Sequence, residues 1–450
     1  MENVMRYYSA YRSGMQACHE EDTAMERKKA LRLNTTAGGH RLWHWATALV
    51  FALSLALLVS CGGDSEDSDV SDGDQQAKNV ILLIGDGMGS AHVTAARLYA
   101  VGREGKLVMD GLPVTGMART WSTESVVTDS AAAGTALAAG VKTYNKAISV
   151  DQDKKPVPTI LEKAQDAGKS VGLVTNVWLS HATPAVFAAH NPERDDYLGI
   201  TLDMFNHNVD VLLGGGEDYF LPVGTPGCYA DDGDRTDKRN LIEEAIASGY
   251  RHVCNETDFQ AVDAKTADKL LGTFADYNMS RPYAPSLAAM TEKAIAILSN
   301  NSDGFFLMVE GGQIDQAAHA NDALNTLADV TDFDKAVEAA LAFQTEHPDT
   351  LVIVTADHAT GGLTIEDLPL DGACPDPNQD DPRECKTVLA EDGPFAESGG
   401  ASFWIDWSTI AHTADDVPVM AIGPGAASLA GEYENTHIFQ AMCEALGLPE

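Results

Sequence analysis

The sequence predicts an α/β fold with a largely parallel central sheet and helices on both of its faces. Short, continuously apolar segments recur along the chain and end in polar residues, as strands buried on both faces do. Alanine-rich segments of helical character separate them, and strands that alternate with helices form parallel sheets. The predicted strand segments are NVILLIGDG (79–87), SVGLVTN (170–176), DVLLGGG (210–216), GFFLMVEGG (304–312), TLVIVTADH (350–358) and VPVMAIGPG (417–425).

Helical segments such as TILEKAQDAG, SLAAMTEKAIAILSN and DFDKAVEAALAFQTEH lie between these strands. The stretch 366–400 is polar and rich in Pro, Asp and Gly. We expect it to be an insertion at one edge of the sheet rather than a second domain. One large domain over residues 79–450 therefore accounts for the folded part of the chain.

The chain is strongly acidic. Lys and Arg number 30 against 67 Asp and Glu, which gives a net charge of −37. This balance excludes a protein that is held to nucleic acid or to an anionic membrane surface by charge. If the substrate is an anion, metal ions or an arginine must overcome this field locally.

The first 60 residues have the pattern of an export signal. An apolar run from Trp43 to Ser60 follows a basic region and ends at Cys61. The tail LVSC resembles the bacterial lipobox, in which Cys61 would carry the lipid. An uncleaved transmembrane anchor is the alternative, although the run is near the lower length limit of a span. We expect an exported protein, periplasmic or at the cell surface, with a lipid anchor; translation from Met25 stays open.

Residues 61–78 are crowded with Asp and Ser and contain almost nothing that can be buried. They are predicted to be an acidic disordered tether between the anchor and the domain.

The cysteines fit an oxidising compartment. Cys228 and Cys254 flank one polar loop, and Cys374 and Cys385 flank another, so two local disulfides are predicted. Cys443 lies in the apolar segment QAMCEALGL and is expected to be a buried thiol. Because the spacing of a zinc knuckle is missing, any metal must be bound by histidines and carboxylates.

Unusual charged residues stand where the predicted strands end. Asp86 follows ILLIG, Glu310 ends FFLMV, and Asp357 and His358 follow LVIVTA. Ligands bind at the carboxyl ends of parallel strands. Burying an unpaired carboxylate costs several kcal/mol, so these residues are expected to have charged partners.

Two further motifs bear on the kind of ligand. In EGGQIDQAAHAND, Asp315 and His319 are four residues apart, which places them on one helical face where they can share a metal. A surface ion pair is the alternative. The segment GDGMGS lacks the third glycine of a dinucleotide fingerprint and has an aspartate where the pyrophosphate would bind.

The segment LSHATPAVFAAHNPER contains His181, Thr183, His190 and Arg194. A hydroxyl beside a carboxylate suits Mg²⁺, and an arginine matches a phosphate with two parallel hydrogen bonds. His190 is expected to be a packed histidine. In VTDSAAAGTA, Ser130 is either a helix cap or a nucleophile that is activated by groups elsewhere in the chain.

Six motifs occur in a characteristic order from about residue 79 to residue 446: GDGMG, VTDSAAAGTAL, HATPA with Arg194 eleven residues after its threonine, VEGGQIDQAAH, TADH and AHTADDVPV. Together they resemble the alkaline phosphatase family. The resemblance implies a three-layer sandwich that hydrolyses phosphate monoesters to an alcohol and inorganic phosphate. It further implies that Ser130 is the nucleophile and forms a phosphoserine, and that Arg194 binds the phosphoryl group.

The resemblance also implies two zinc ions and one magnesium ion. The implied ligands are Asp315, His319 and His412 for the first zinc; Asp86, Asp357, His358 and the deprotonated Ser130 for the second; and Asp86, Thr183 and Glu310 for magnesium. His437 competes with His412, which is favoured because VPVMAIGPG follows it.

Two positions depart from certain bacterial relatives. His181 stands where those relatives have Asp, and Gln316 stands where they have Lys. Both are expected near the third ion and the phosphate. The identity of the third ion therefore stays open, because Zn²⁺ accepts an imidazole more readily than Mg²⁺ does.

Other functions stay open beside the phosphomonoesterase. A phosphodiesterase of the same superfamily is one, although Arg194 favours monoesters, and a non-catalytic lipoprotein that binds phosphate or metal is another. The residues after Ser130, AAAG, lack a sulfatase signature, and the leader argues against a cytosolic phosphomutase. The expected partners are small phosphate monoesters and, through the anchor, a membrane; a homodimer is an alternative to a monomer.

Overall fold

The structure is a computed structural model that describes residues 76–366, 392–398 and 400–449. The predicted leader with Cys61, nearly all of the tether, the pair Cys374–Cys385 and most of the predicted insertion lie outside the described residues. Within the described residues, no helix is long and apolar enough to cross a membrane.

The described residues form fifteen strands: β1 (Asn79–Gly85), β2 (Val114–Arg119), β3 (Ser170–Trp178), β4 (Val211–Gly215), β5 (Arg251–Val253), β6 (Leu270–Thr273), β7 (Phe305–Gly311), β8 (Thr350–Thr355), β9 (Ala359–Thr360), β10 (Leu363–Glu366), β11 (Asp392–Ala396), β12 (Ser402–Trp407), β13 (His412–Thr413), β14 (Val417–Ile422) and β15 (Gly431–Glu434). Ten of them form the central sheet of the described fold, in the order β15-β2-β14-β8-β1-β7-β3-β4-β6-β5. β14 alone in this sheet pairs antiparallel with its neighbours, β2 and β8. The predicted largely parallel sheet is confirmed.

Two small antiparallel sheets lie beside the large one. Strands β10, β12 and β11 form the first, and β9 pairs with β13 in the second. The second matters for the site because it pairs Thr360 with His412.

All six predicted strand segments are strands of the large sheet. Four strands that the pattern did not predict, β2, β5, β6 and β15, lie toward its edges. Three of them are half-exposed or very short, and β6 has only four residues. Strands of this kind lack the long continuous apolar run that predicted the others.

The helices form layers on the two faces of the sheet. They are α1 (Ser90–Val101), α2 (Ser130–Ala139), α3 (Ile160–Asp166), α4 (Ala182–Ala188), α5 (Tyr197–Asn206), α6 (Leu241–Ala247), α7 (Glu256–Ala261), α8 (Leu287–Leu298), α9 (Gln313–His319), α10 (Ala323–Glu346) and α11 (Thr436–Leu446). Helices α1, α8, α9 and α10 pack in one group, and α2, α3, α4, α5 and α11 pack in another. Helices of both groups contact β3 and β7, so the groups cover opposite faces.

The middle of the sheet is fully buried. Every residue of β1, β7 and β8 is buried, and most are Val, Ile, Leu or Phe. Burial of each such side chain contributes roughly 1.5–3 kcal/mol. The parallel register sets Ile84 beside both Glu310 and Thr355, so the residues that follow β1 and β8 come level with the end of β7.

Helix α2 begins at Ser130, and its cap is the residue before. The Asp129 carboxylate accepts a hydrogen bond from the Ala132 backbone N–H at 3.0 Å, as an N-cap side chain does. Gly140 ends the helix in the left-handed conformation, with a φ of 68°. Ser130 is therefore the first helical residue and not the cap, which leaves its hydroxyl available for other contacts.

Cys228 and Cys254 form a disulfide that closes a loop ending just after β5. Cys443 is completely buried on α11, as its apolar surroundings predicted.

Candidate metal centre

Three neighbouring strands carry acidic side chains to one place. Asp86 directly follows β1, Glu310 lies in β7, and Asp357 comes two residues after β8, with β1 between the other two strands. All three side chains are 0% exposed. The carboxyl ends of parallel strands therefore bring Asp86 to two carboxylates that lie more than 200 positions away in sequence.

Several buried polar atoms of this cluster have no hydrogen-bond partner among the residues that the structure describes. They are Asp86 Oδ1, Glu310 Oε1, Asp357 Oδ2 and His181 Nδ1. A buried polar atom left without a partner costs about 1–3 kcal/mol, and more when it is charged. A cation bound among these four atoms would supply the partners that they lack.

The raised pKa values of two carboxyl groups in the cluster also indicate that it is suited to bind cations. Burial raises the pKa of Asp86 well above its ordinary value, and the nearby carboxylates raise it further. Burial is also the main reason why the pKa of Asp357 rises to about 7. Positive charge in the centre would remove this penalty and keep both carboxylates ionised near neutral pH.

Asp86 belongs to two sets of atoms that could each hold a metal. In the first set, His358 Nε2 lies 3.5 Å from Asp86 Oδ1 and 3.2 Å from Asp357 Oδ2. In the second, His181 Nδ1 lies 3.8 Å from Asp86 Oδ2 and 3.5 Å from Glu310 Oε1. Its position between β7 and β8 makes Asp86 a candidate bridging ligand.

Hydroxyl groups complete the second set. Thr183 Oγ1 donates to Asp86 Oδ2 at 3.2 Å. Thr175 Oγ1 donates to Glu310 Oε2 at 2.5 Å and leaves the other carboxylate oxygen facing His181. The structure therefore brings together Asp86, Thr183 and Glu310, and it adds His181 directly to them.

A third set includes the helical pair Asp315 and His319. His319 Nε2 lies 3.4 Å from Asp315 Oδ2, so the two side chains do share one face of α9. His412 Nε2 lies 3.7 Å from Asp315 Oδ1 and 3.1 Å from His319 Nε2. His358 stacks on the His412 ring at 3.6 Å and connects this set to the first.

The protons of these histidines point to a cation. His319 Nδ1 faces the Ile410 carbonyl at 2.6 Å, and His412 Nδ1 faces the Thr128 carbonyl at 2.9 Å. Because a carbonyl only accepts, both Nδ1 atoms carry protons. With no further proton between them, the two rings would direct lone pairs at each other across 3.1 Å. A metal ion between them resolves this contact, with each ring in the tautomer that metal-binding histidines use.

Ser130 lies beside His358 in the buried centre. Its Oγ atom is 3.1 Å from His358 Nε2, and the residue is 1% exposed. The pKa of His358 is well below its ordinary value because of burial and then of the neighbouring His412. A neutral His358 keeps a lone pair on Nε2, on the side where Ser130 and the two carboxylates meet.

Arg194 reaches the same place from the loop after α4. It donates from one guanidinium nitrogen to Asp129 Oδ2 at 3.1 Å, and another lies 3.1 Å from His181 Nε2. Burial alone would lower the Arg194 pKa, but Asp129 outweighs it and keeps the pKa above its usual range. Asp129 thus holds the arginine while it caps the helix that begins at Ser130.

Two residues considered from the sequence, His437 and His190, make their contacts outside these sets, while Gln316 is next to Asp315. His437 faces the Ser428 carbonyl at 2.9 Å and packs beside Tyr433, so it does not compete with His412. Gln316 lies half-buried on α9. His190 contacts Glu162 in a separate cluster.

Supporting residues were missed at the sequence level. Thr360 donates to Asp315 Oδ1 at 2.6 Å, and its oxygen lies 3.2 Å from His358 Nδ1. Because the Thr360 proton is used on Asp315, this contact fixes the proton of His358 on Nδ1. Thr360 follows TADH by two residues, which is the one local signal that could have identified it; Thr175 and Asp129 have no comparable signal.

A parallel sheet that gathers carboxylates, histidines, a buried serine and an arginine at its carboxyl ends defines a metal-binding hydrolase. Residues 77–448 match the family model described as alkaline phosphatase. The chain belongs to the alkaline phosphatase family and is a phosphatase. Membership of this family supports hydrolysis of phosphate monoesters as its activity.

Individual relatives agree with this assignment. Alkaline phosphatase 3 of Bacillus subtilis is 35% identical over 430 residues, which cover 82% of this chain and 89% of the relative. The structure of alkaline phosphatase from the Antarctic bacterium TAB5 is 32% identical with a TM-score of 0.70, and covers 83% of this chain and 100% of its own. A TAB5 variant with one histidine replaced by aspartate and Mg bound in the M3 site is 30% identical, with a TM-score of 0.68 and coverages of 84% and 99%.

Proposed function

We propose that the chain hydrolyses small phosphate monoesters through a phosphoserine on Ser130, at a centre that holds two Zn²⁺ and one Mg²⁺. The observation that carries the proposal is the position of the Ser130 hydroxyl, 3.1 Å from His358 and beside unpartnered carboxylate oxygens of Asp86 and Asp357. A buried serine at this position can form a covalent intermediate. A protein that only binds metal would not need a serine there.

The donor sets match the proposed ions. Nitrogen and carboxylate ligands suit Zn²⁺, and hydroxyl with carboxylate oxygen suits Mg²⁺. The proposed ligands are Asp315, His319 and His412 for one Zn²⁺; Asp86, Asp357, His358 and Ser130 for the other; and Asp86, Thr183 and Glu310 for Mg²⁺. When bound, the ions would neutralise phosphate charge and lower the pKa of the Ser130 hydroxyl.

The residues of the chain then have distinct tasks. Arg194 binds two phosphoryl oxygens and orients the phosphorus in front of Ser130. Ser130 Oγ loses its proton to solvent water and forms a bond to phosphorus while the ester P–O bond opposite breaks, and the departing alkoxide takes a proton from water. Water next attacks the phosphoserine, which releases phosphate and restores the hydroxyl. Backbone N–H groups at the start of α2 stabilise the phosphoryl oxygens.

The alternatives are separated by substrate. A dianionic monoester presents the oxygens that Arg194 can bind in pairs, whereas a diester has one charge less. We expect kcat/KM for p-nitrophenyl phosphate to exceed that for its bis-ester by about 10- to 100-fold, since losing a charged hydrogen bond costs roughly 1.5–3 kcal/mol. Equal or reversed values would make the chain a diesterase, and no product from either ester would leave only binding.

The selectivity of the third site is proposed to depend on His181. Its Nδ1 atom lies 3.5 Å from Glu310. Arg194 donates to Nε2 in this structure, so Nδ1 becomes a ligand only when Arg194 releases Nε2 and the proton moves there; an Nδ1 ligand would favour Zn²⁺ over Mg²⁺, which prefers oxygen ligands. We expect His181→Asp to raise Mg²⁺ affinity about 10-fold or more, measured as bound Mg per chain at fixed free Mg²⁺ and Zn²⁺. The TAB5 variant with aspartate in place of a histidine and Mg in its third site supports this expectation.

His181→Gln is the matched control because it removes the imidazole without adding charge. It should lower the affinity of the third site for Zn²⁺ without raising its affinity for Mg²⁺. The same Mg content in wild type and His181→Asp would show that His181 does not set the selectivity.

The cellular setting is proposed from the sequence alone. The apolar run before Cys61 and the acidic stretch 61–78 support an exported lipoprotein that releases phosphate from esters outside the cytoplasm.

A further inference from the structure

A second cluster of metal-binding residue types lies in the helical layer, apart from the residues of the catalytic centre. We call it the Glu162 cluster; it consists of Glu162, His190 and His207. Glu162 lies in the first turn of α3, His190 follows α4, and His207 is the C-cap of α5. One helix and the residues that follow two others thus each contribute one side chain to the cluster.

The ligand atoms are close enough for one ion. The Nε2 atoms of His190 and His207 both lie 2.9 Å from the same Glu162 oxygen, Oε1. The three atoms are all within 4.8 Å of one another, and ligand atoms around a tetrahedral zinc are roughly 3.3 Å apart. Side-chain exposures of 13–24% leave a path for solvent.

The backbone fixes which ring nitrogen carries a proton. His190 Nδ1 faces the Ser149 carbonyl at 2.8 Å, and His207 Nδ1 faces the Asp203 carbonyl at 2.9 Å. Carbonyl oxygens only accept, so both Nδ1 atoms are protonated. Neutral rings would then direct Nε2 lone pairs at a carboxylate oxygen, which also only accepts. The cluster therefore requires positive charge, either as two further protons or as a cation.

The other Glu162 oxygen is already used. Its Oε2 atom accepts the Thr159 backbone N–H at 2.8 Å in a capping box at the start of α3. Burial raises the Glu162 pKa, but the hydrogen bonds with the two histidines lower it more, so the carboxylate is ionised. Burial lowers the pKa of His190 and the contact with Glu162 raises it above its ordinary value, while the Glu162 hydrogen bond is the main reason why the pKa of His207 is raised. Two imidazoliums on this one oxygen still repel each other, their ring centroids being 5.6 Å apart. One divalent ion satisfies all three side chains without that repulsion.

We infer that Glu162, His190 and His207 bind a zinc ion outside the catalytic centre, with water as the fourth ligand. Two imidazole nitrogens in the Nδ1–H tautomer and one carboxylate are a ligand set that Zn²⁺ prefers. The ion would join α3 and α5 to the segment between Thr183 and Arg194, on which His190 lies. The His190 backbone N–H donates to Asp203 at 2.7 Å, so this segment is held to α5 a second time.

The experiment counts the zinc that the purified, full-length protein retains after saturation. Wild type, His207→Gln and Glu162→Gln are saturated with Zn²⁺, freed of excess by gel filtration and measured by mass spectrometry of the metal. We expect each variant to contain one zinc per chain fewer than wild type, with monoester turnover retained. Glu162→Gln is the second variant because glutamine keeps the capping box at Thr159.

The control is His437→Gln, which removes a surface imidazole that contacts Ser428 and Tyr433. It should contain as much zinc as wild type. Equal zinc in wild type and in both cluster variants would overturn the inference, and the cluster would then be a proton-bonded histidine pair. An equal loss in His437→Gln would overturn it too, because the difference would then be adventitious surface binding.

Discussion

Substitution of Ser130 by alanine is expected to lower turnover of phosphate monoesters by about 10³-fold or more. The side chain is small and 1% exposed, and helix α2 is capped by Asp129 rather than by Ser130. The helix should therefore form in the variant, while the oxygen that would bond to phosphorus is gone. A 10³-fold loss corresponds to about 4 kcal/mol of transition-state stabilisation.

Two measurements make the test specific to a nucleophile. Acid quenching of the wild type with a ³²P-labelled monoester should leave label on the protein, and the variant should have none. Metal content should change little, because Asp86, Asp357 and His358 stay in place. Ser125→Ala, five residues upstream, is the control and should keep both turnover and label. Turnover of Ser130→Ala close to wild type would remove the phosphoserine from the mechanism.

Removal of metals is expected to abolish activity and also to change how stability depends on pH. Without cations, buried Asp86, Glu310 and Asp357 keep oxygens without partners. The Asp357 pKa in this state is about 7, above its ordinary value of 3.8. A raised pKa means that the folded state holds a proton that the unfolded state gives up. The contribution of Asp357 to the stability of the metal-free protein should therefore be fully present below about pH 4. It should be lost as the pH rises through about 7.

The measurement compares protein dialysed against EDTA with the same protein after Zn²⁺ and Mg²⁺ are returned. Activity should disappear and return, and the melting temperature should fall between pH 5 and pH 8 only in the metal-free sample. Ca²⁺ alone should not restore turnover, since it is a poor match for the histidine ligands. His207→Gln should respond as wild type does, which separates the catalytic ions from the Glu162 cluster. Full activity after prolonged dialysis against EDTA would contradict the metal assignment.

Several acidic and histidine residues of the centre could be predicted because they are anomalies in their local context, whereas His412 was expected only from the family resemblance. Asp86, Asp357 and His358 each follow a continuous apolar strand, where a charge is costly unless it has a partner. The parallel topology then brings the strand ends together. Asp315 and His319 were predictable from helical spacing alone, and α9 places them as expected.

Other contacts have no such local mark. Thr175 is an ordinary residue of a strand, and its bond to Glu310 exists only because β3 pairs with β7. The Arg194–Asp129 contact joins residues 65 positions apart. The sequence around Glu162 is explained by a capping box, so nothing local indicates that Glu162 also contacts His190 and His207. The lipid anchor at Cys61 and the second disulfide stay predictions, because they lie outside the described residues.

The register of β1, β7 and β8 has a consequence for how the centre opens. Asp86, Glu310 and Asp357 lie in or just after the fully buried strands β1, β7 and β8, and buried central strands typically open only when the whole domain unfolds. His412 belongs instead to a two-residue strand, and Arg194 to a loop. We therefore expect local opening to cost less free energy on the side of His412 and Arg194 than on the side of the buried carboxylates. In the proposed function, thermal fluctuation would loosen the contact of Arg194 with substrate before the buried carboxylates release an ion.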